Sequence, residues 1–592
     1  MSRQSSVESC RPVLACGLPP SRMEHTFRWA LAASVVAALA VVSPFCFFGQ
    51  ASGHDFQFHV ASWMDVARQW HAGVVFPRWA VLANYGYGEP RFIFYPPLSW
   101  CLGAGLGLLL PWKAVPATFI LLCLVVAGVS MFRLARGWLS PAGTIAAAVV
   151  YVVNPYHLVL AYYRSDFAEL LSAAILPLAI HYALSCAGYG GEKTAGSTRE
   201  PLRSVVPLAV VYGAIWLTNA PAAVVASYAL ASLLVLCAIL SRSFRPLFTG
   251  FAALVLGLML AGVYLVPAAY EQAWVNIDQA ISAGFRPAEN FLFTWVLDPE
   301  HNLVNLQISA VAVLVITLTG IGVVVSHHRS RSPRFIWIVM FALGVISVLL
   351  MLPASGPVWQ YAPKLRFVQF PWRWLLPLGV SLAVFLGETV ATSRRRLMVA
   401  LCCAALFTGT GFAIVRATFW DSDDLGDVLA AVSSGQGYEG TYEYCTLGGD
   451  QTELAVGLPL VSLLPAEPNS AKPELRTGVG PAPQSPGSWS VLDWQPERKE
   501  LVVDARSSVR AAVRLLNYPA WRVRVNGAPA QSESDPDTGQ MIVPLPAGRS
   551  RVEVRFERTP DRIAGGALSG MAVLLLAGMV AFTARRGGTA HS

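Results

Sequence analysis

The chain has 592 residues, 55% of them hydrophobic and only 13% charged, with a mean hydropathy of +0.51. Soluble globular proteins carry about 25% charged residues, so this composition excludes a soluble fold and places the chain in a bilayer. The net charge of +8 would suit nucleic acid, but the basic residues gather in short loops between apolar segments, as in His327-His328-Arg329-Ser330-Arg331 and Arg394-Arg395-Arg396. There they read as signals of membrane orientation.

Residues 1–26 are largely polar and carry Arg3, Arg11 and Arg22. Leu14-Ala15-Cys16 has the outline of a lipoprotein cleavage site, but no apolar run of about 7 to 15 residues precedes it, so a cytoplasmic tail is expected. Stretches of roughly the 20 residues that cross a bilayer then recur near 27–48, 116–133, 141–156, 167–188, 202–217, 220–240, 248–270, 305–326, 335–353, 373–391, 397–417 and 565–583. With the N-terminus inside, the basic loops at Arg133 and Arg136, Lys193 to Arg203, Arg242 to Arg245, His327 to Arg334, Arg394 to Arg396 and Arg585-Arg586 all fall on the cytoplasmic side. That agreement requires residues 92–112, which hold Pro96-Pro97 and several glycines, to make no net crossing, as a broken or re-entrant helix would.

Four polar regions then lie outside, at 49–91, 157–166, 271–304 and 354–372, followed by a larger domain at 418–564. A linker-like stretch rich in Pro, Ser and Gly runs from Pro465 to Gly487. Period-two runs at Glu500 to Asp504, Val509 to Leu515, Trp521 to Val525 and Val552 to Phe556, between turn signals such as Asn526-Gly527 and Ala547-Gly548, predict strands. The expectation is a polytopic α-helical membrane protein of about 12 to 13 transmembrane helices, with a C-terminal extracytoplasmic β-sandwich-like domain. Residues 27–417 form the multi-span body, and a final helix and cytoplasmic tail occupy 565–592. Most of the ten cysteines lie in apolar segments and only Cys445 in the polar domain, without disulfide or metal-binding spacing. Walker and dinucleotide fingerprints are likewise missing from the sequence.

Polar chemistry therefore has few places to reside. Gly53-His54-Asp55-Phe56-Gln57-Phe58-His59 sets an acid and two imidazoles where the first span ends. Asp55 and His59 are four apart, on one face of a helix, with Ser62 close by. A carboxylate at a cavity mouth can take a proton from an attacking hydroxyl; Asp55 would equally well cap the amphipathic stretch that follows. Phe76-Pro77-Arg78-Trp79, Asn84 to Arg91 and Phe94-Tyr95-Pro96-Pro97-Leu98 interleave aromatics with Gly, Pro and Arg. Arg78, Tyr85, Tyr87, Arg91 and Tyr95 suit either a surface for a lipid phosphate or sugar face, or an ordinary interfacial belt. Arg164, Asp166 and Glu169 form a third cluster, costly at a helix start unless paired or hydrated. Lys364 to Trp374 is a fourth, whose Arg366 and Arg373 could bind phosphate or snorkel to headgroups.

An acid in the first outer loop, a multi-span body and an outer β domain together resemble the GT-C class of polytopic glycosyltransferases. Gly53-His54-Asp55 with His59, Pro77-Arg78-Trp79, Tyr85-Gly86-Tyr87-Gly88, Phe94 to Leu98, Arg164 to Glu169, Phe370-Pro371-Trp372-Arg373, Asn517 to Trp521 and Leu545 to Gly548 are similar to bacterial YfhO-like membrane proteins and the family labelled 6-pyruvoyl-tetrahydropterin-synthase-related. That label does not denote a pterin enzyme. The resemblance implies an inner-membrane enzyme that takes a sugar from a polyprenyl-phosphate donor to an extracytoplasmic glycan, lipid or protein. Asp55 would be the base, with His54, His59 and Glu89 as further catalytic candidates, and arginines would hold the leaving phosphate. Paired acids are common in GT-C loops, whereas here His54 flanks Asp55; a divalent metal is left open and no metal ligands are assigned. The rival readings are a transporter or flippase for a lipid-linked glycan, which ionisable residues buried at the midplane and broken helices in both halves would favour, whereas the polar groups here gather on one face, and a non-catalytic envelope assembly protein.

Overall fold

The computed structural model describes residues 20–189, 200–327, 333–390, 394–466 and 486–588. The loop at 193–199, most of that at 327–334 and most of the linker-like stretch at 465–487 lie outside the described residues. Each of the twelve stretches expected to span is helical. Among the described residues, eight helices are long and apolar enough to cross a membrane, or up to ten when two bent pairs are each taken as one span. The bends, 70° between Arg245–Leu260 and Gly262–Trp274 and 89° between Arg334–Leu350 and Pro353–Tyr361, shorten what the sequence reads as continuous spans. Helix Leu375–Thr389 has 15 residues and Pro97–Leu109 has 13. At about 1.5 Å per residue these fall short of the roughly 30 Å hydrocarbon core, so the stretch at 92–112 has no helix that crosses it straight.

Without a hydrophobic drive between lipid-exposed helices, close backbone approach and van der Waals contact hold such a bundle together. Gly143 and Gly387 illustrate this across helices Pro141–Val152 and Leu375–Thr389: a Cβ on Gly143 would lie 2.6 Å from the Gly387 carbonyl oxygen, and one on Gly387 would lie 2.7 Å from that of Gly143. One end of the bundle carries the amphipathic helix Phe56–His71, against which helix Asp423–Ser434 packs; Arg68 donates to the Val432 carbonyl at 2.8 Å.

The C-terminal strands are β1 (Val461–Pro465), β2 (Gly487–Gln495), β3 (Arg498–Ala505), β4 (Val509–Leu516), β5 (Trp521–Val525), β6 (Ala528–Ala530), β7 (Glu533–Ser534), β8 (Gln540–Leu545) and β9 (Gly548–Phe556). They form two antiparallel sheets, β1-β4-β8-β7 and β2-β3-β9-β5-β6. Alternation places Trp521 and Val523 inside while Arg522 and Arg524 face out, as a sheet with one buried face requires. Asn526 and Gly527 both adopt positive φ, the two-residue hairpin geometry that joins β5 to β6.

This domain is clamped onto the bundle by the first outer loop. Trp79, Tyr87, Ile93 and Phe94 share one core with Val513, Tyr518 and Trp521, and Leu516 N–H donates to the Tyr87 carbonyl at 3.0 Å. Beneath it, Glu271 accepts from Arg562 Nε and Nη2 at 2.7 and 2.8 Å and from the Tyr518 hydroxyl at 2.5 Å. One carboxylate thus ties the bundle, the last helix and the β domain together. Glu271→Ala strands a buried guanidinium and is expected to cost about 3 to 5 kcal/mol. Thermal unfolding together with limited proteolysis of the β domain reads this out, and an unchanged Tm with an unchanged digestion pattern would refute it.

Candidate active site

The first loop is stitched to the turn at 164–166. Asp55 N–H donates to the Arg164 carbonyl at 2.8 Å, Gly53 N–H to Ser165 Oγ at 3.0 Å, and Ser165 Oγ to the Ala51 carbonyl at 3.1 Å. Only glycine fits at 53, because a Cβ there would lie 2.6 Å from Arg164 C and 2.7 Å from Ser165 N. A π-helical turn, Val159–Tyr163, precedes this corner, and Ser165 sits at φ +53°; such irregular backbone concentrates at functional sites. Gly53→Ala is expected to cost about 1 to 3 kcal/mol and to displace Asp55, seen as a lowered Tm together with reduced turnover; wild-type values for both would contradict the fit.

Held there, Asp55 occupies the N-cap position of helix Phe56–His71, yet its side chain caps nothing. The carboxylate turns instead to Arg164, whose Nη2 lies 2.9 Å from Oδ2, and to His54, whose Nδ1 lies 3.0 Å from Oδ1. Arg164 continues inward to Asp166 at 3.2 Å and Glu169 at 3.0 Å. Arg373 closes the far side, 2.7 Å from Glu169 and 3.5 Å from Asp166. Asp166 also caps its helix, accepting from Glu169 N–H at 2.9 Å, and Tyr156 donates to Glu169. Arg164 and Arg373 lie over the Phe370 ring, 5.3 and 4.9 Å from its centroid.

Three clusters far apart in the chain therefore form one network of two guanidiniums and three carboxylates. His54 stands at one end, and His59, 3.8 Å from Asp166, at the other. His59 is linked to Asp166 rather than to Asp55, its neighbour one helical turn earlier. Asp55 is 25% exposed at its side chain while Asp166 and Glu169 are at 4% and 0%, so Asp55 is the carboxylate of the network that a substrate can reach. Burial works to raise its pKa, but Arg164 and His54 outweigh burial and hold it below the ordinary carboxylate value. The hydrogen bond and charge of Asp55 in turn raise His54.

The remaining sequence candidates divide. Glu89 is fully buried: Arg91 Nε binds it at 2.6 Å, Thr441 N–H at 2.8 Å and Asn84 Nδ2 at 3.1 Å. It is thereby closed off as an alternative base, and Arg91, 1% exposed, is committed with it. Tyr87, expected on an open headgroup-level surface, is packed into the β-domain seam instead, because that domain covers the loop. Tyr85 stands at φ +55° with its N–H on the Tyr438 carbonyl, and Arg78 donates to the Val263 carbonyl at 3.1 Å. Tyr95 does face the site, its ring 4.8 Å from Phe58 and 5.8 Å from His59. Arg373 is buried and fully engaged, whereas Arg366 is exposed over Phe367.

Two features escaped the sequence reading. Glu443 reaches this region from the segment between helix Asp423–Ser434 and β1, near enough to feel the charges of Asp55, Glu89 and Arg91. Its signal was the run Gly437-Tyr438-Glu439-Gly440-Thr441-Tyr442-Glu443-Tyr444, unusual in its alternation of aromatics and acids. The second is an apolar groove of ≈ 930 Å³ lined by Val41, Val150, Leu386, Phe407 and Gly411, with Phe48, Arg416 and Trp420 at one end. Phe48 and Asp55 stand at opposite ends of a single short loop, which also pairs Ala51 with Trp420. Among the described residues no three His, Cys, Asp or Glu side chains converge as metal ligands. Asp55 has the guanidinium of Arg164 and the imidazole of His54 as its partners in place of a second carboxylate, a donor set that does not fit a divalent metal.

Residues 92–418, more than half of the chain, match the family described as the 6-pyruvoyl-tetrahydropterin synthase related domain, a membrane protein. The chain belongs to this family. The family segment contains Arg164, Asp166, Glu169 and Arg373, while Asp55 precedes it. No curated protein matches the sequence. Solved structures similar to this family member include the Archaeoglobus fulgidus oligosaccharyltransferase in the apo form, 13% identical, covering 70% of this chain and 56% of that one at a TM-score of 0.40. Mycobacterial arabinofuranosyltransferase AftD is 17% identical, covering 69% and 27%, with a TM-score of 0.41. ArnT from Cupriavidus metallidurans bound to undecaprenyl phosphate is 13% identical, covering 71% and 78%, with a TM-score of 0.37. The chain thus spans little more than half the length of the archaeal transferase.

Proposed function

We propose that this family member is a GT-C-type membrane glycosyltransferase of the bacterial inner membrane, moving a sugar from a polyprenyl-phosphate donor to an extracytoplasmic acceptor with Asp55 as general base. The observation that supports it most is the pairing of one reachable, charge-held carboxylate with an apolar groove that opens at the other end of its loop. The groove takes the isoprenoid chain, and Arg416, which lines the groove outside the buried network, takes the phosphate. Asp55 accepts the proton of the acceptor hydroxyl as that oxygen bonds to the anomeric carbon from the face opposite the phosphate. The anomeric C–O bond breaks, its electron pair leaves with the lipid phosphate, and the configuration inverts. Arg164 and His54 fix the carboxylate in place, which shortens the search for a reactive geometry. No step is routed through a metal.

Transport is the second reading: two helix pairs are bent, although both lie in the later half of the 27–417 body. Transfer by the purified protein in lipid, from a panel of radiolabelled polyprenyl-phosphate sugars, separates the two. Labelled product that depends on Asp55 supports the transferase; label that only changes leaflet, equally in wild type and Asp55→Asn, supports a flippase.

A further inference from the structure

Glu443 belongs to a segment pinned against the first outer loop. Thr441, two residues before it, donates to Glu89 through its N–H at 2.8 Å and its hydroxyl at 3.1 Å, and accepts from Arg91 Nη2 at 3.1 Å. Gly440 allows this approach, because a Cβ there would lie 1.9 Å from Asn84 Oδ1. On the other side, Tyr444 stacks on Phe94 at 5.6 Å and 15°, and Phe94 is followed by Tyr95, whose ring meets Phe58 edge to face. The backbone around Glu443 is thus clamped at both ends, but its carboxylate is half-buried and accepts from no other described residue. The Tyr95 hydroxyl is also without a hydrogen-bond partner among the described residues. Two polar groups, each held by packing and neither satisfied by the protein, both lie within electrostatic reach of Asp55, and Tyr95 meets half-buried Phe58.

Carboxylates and phenols that take hydroxyls beside an aromatic ring face are what a sugar requires: its hydroxyls need directional partners and its C–H face needs an apolar one. A lipid alcohol supplies one O–H and would leave the remaining polar groups unmatched, at the cost of their desolvation; a peptide hydroxyl brings backbone N–H and C=O groups that can pair with them, but not the rigid C–H face of a sugar ring. We propose that Glu443 is an acceptor-binding residue and that the acceptor is a carbohydrate, with the Glu443 carboxylate and Tyr95 hydroxyl taking two hydroxyls of one ring and a third presented to Asp55. This rests on Asp55 facing the acceptor, as in the transferase reading.

The electrostatics around Glu443 make the proposal testable by pH. Burial, together with Glu89 and Asp55, raises the Glu443 carboxyl to about 7 against the opposing pull of its own backbone N–H and of Arg91; the adjacent Tyr444 stays a neutral phenol because burial and Glu443 raise it. Glu443 is therefore anionic above neutrality, when its hydrogen bonds to sugar hydroxyls are charge-assisted, and neutral below.

The experiment is saturation-transfer NMR on the full chain in nanodiscs, titrating methyl glucoside, galactoside, mannoside and arabinofuranoside at about pH 8 and about pH 5.5. Wild type, Glu443→Gln and Tyr95→Phe are compared. Wild type should bind at least one glycoside, about tenfold more weakly at the lower pH. Glu443→Gln should weaken binding about tenfold at the higher pH and remove the pH dependence, and Tyr95→Phe should weaken it about threefold or more without removing that dependence. Equal affinities in wild type and Glu443→Gln, a pH dependence that survives Glu443→Gln, or no glycoside bound by wild type would each overturn the proposal. Transfer to a hydroxyl peptide without glycoside binding sinks the carbohydrate acceptor and leaves glycosyl transfer standing; binding through Glu443 without transfer from any donor does the reverse.

Discussion

Asp55→Asn is expected to lower the rate of sugar transfer by about 10²- to 10⁴-fold, the range that a positioned general base supplies. The substitution is nearly isosteric and the loop is held by backbone hydrogen bonds from Gly53 and Asp55 to the 164–165 corner, so the fold should persist. Donor binding, which the proposal places in the groove and on Arg416, should persist too. A second signature is independent of turnover. With the carboxylate gone, His54 loses the partner that raises its pKa, and its imidazole titration should move down towards the ordinary histidine value, visible by NMR. Transfer at the wild-type rate would remove Asp55 from the chemistry. An unmoved His54 titration would mean that the Asp55–His54 contact does not form in solution.

Arg164→Ala should be the most destabilising single change in the site, by about 3 to 5 kcal/mol. This guanidinium is shared among Asp55, Asp166 and Glu169, and its loss leaves Arg373 alone to offset the buried carboxylates. Lysine is expected to restore only part of the loss, because an ammonium cannot present the planar fork that meets three carboxylates at once. The pH dependence has a definite sign. In wild type Asp166 is held far below the ordinary carboxylate value, since Arg164, His59 and Arg373 outweigh its burial. A depressed carboxylate contributes stability above its unfolded pKa and loses it as pH falls through its folded one. In Arg164→Ala the largest of these opposing charges is gone and the depression shrinks, so the gap in Tm between variant and wild type should be widest at neutral pH and should narrow in acid. A gap that is constant or grows on acidification would refute the ion-pair account and point to lost packing on Phe370 and Trp372 instead.

Membrane class, the location of the helices and the strand pattern of the outer domain all follow from local rules. Apolar runs near the length of a bilayer became helices, since the helix is the backbone form that satisfies all its hydrogen bonds within a single segment in hydrocarbon. Period-two alternation at Val509 to Leu515 and Trp521 to Val525, with Asn526-Gly527 between strands, carried the sandwich in the same way. Gly53-His54-Asp55, Arg164 to Glu169 and Phe370 to Arg373 could each be picked out because ionisable groups beside apolar helices are costly and few.

Their joining could not be read in this way. Whether Arg164 meets Asp55 or merely its neighbour Glu169 depends on how helices distant in sequence pack, and charge spacing along the chain has no bearing on that. The same holds for Tyr87 and Glu89, whose residue types suited an open binding surface until the β domain closed over the loop. It holds equally for Glu443, contributed by a segment on the far side of the last body helices. Local periodicity is a property of a few turns of backbone; the partner of a buried charge is decided by the whole bundle.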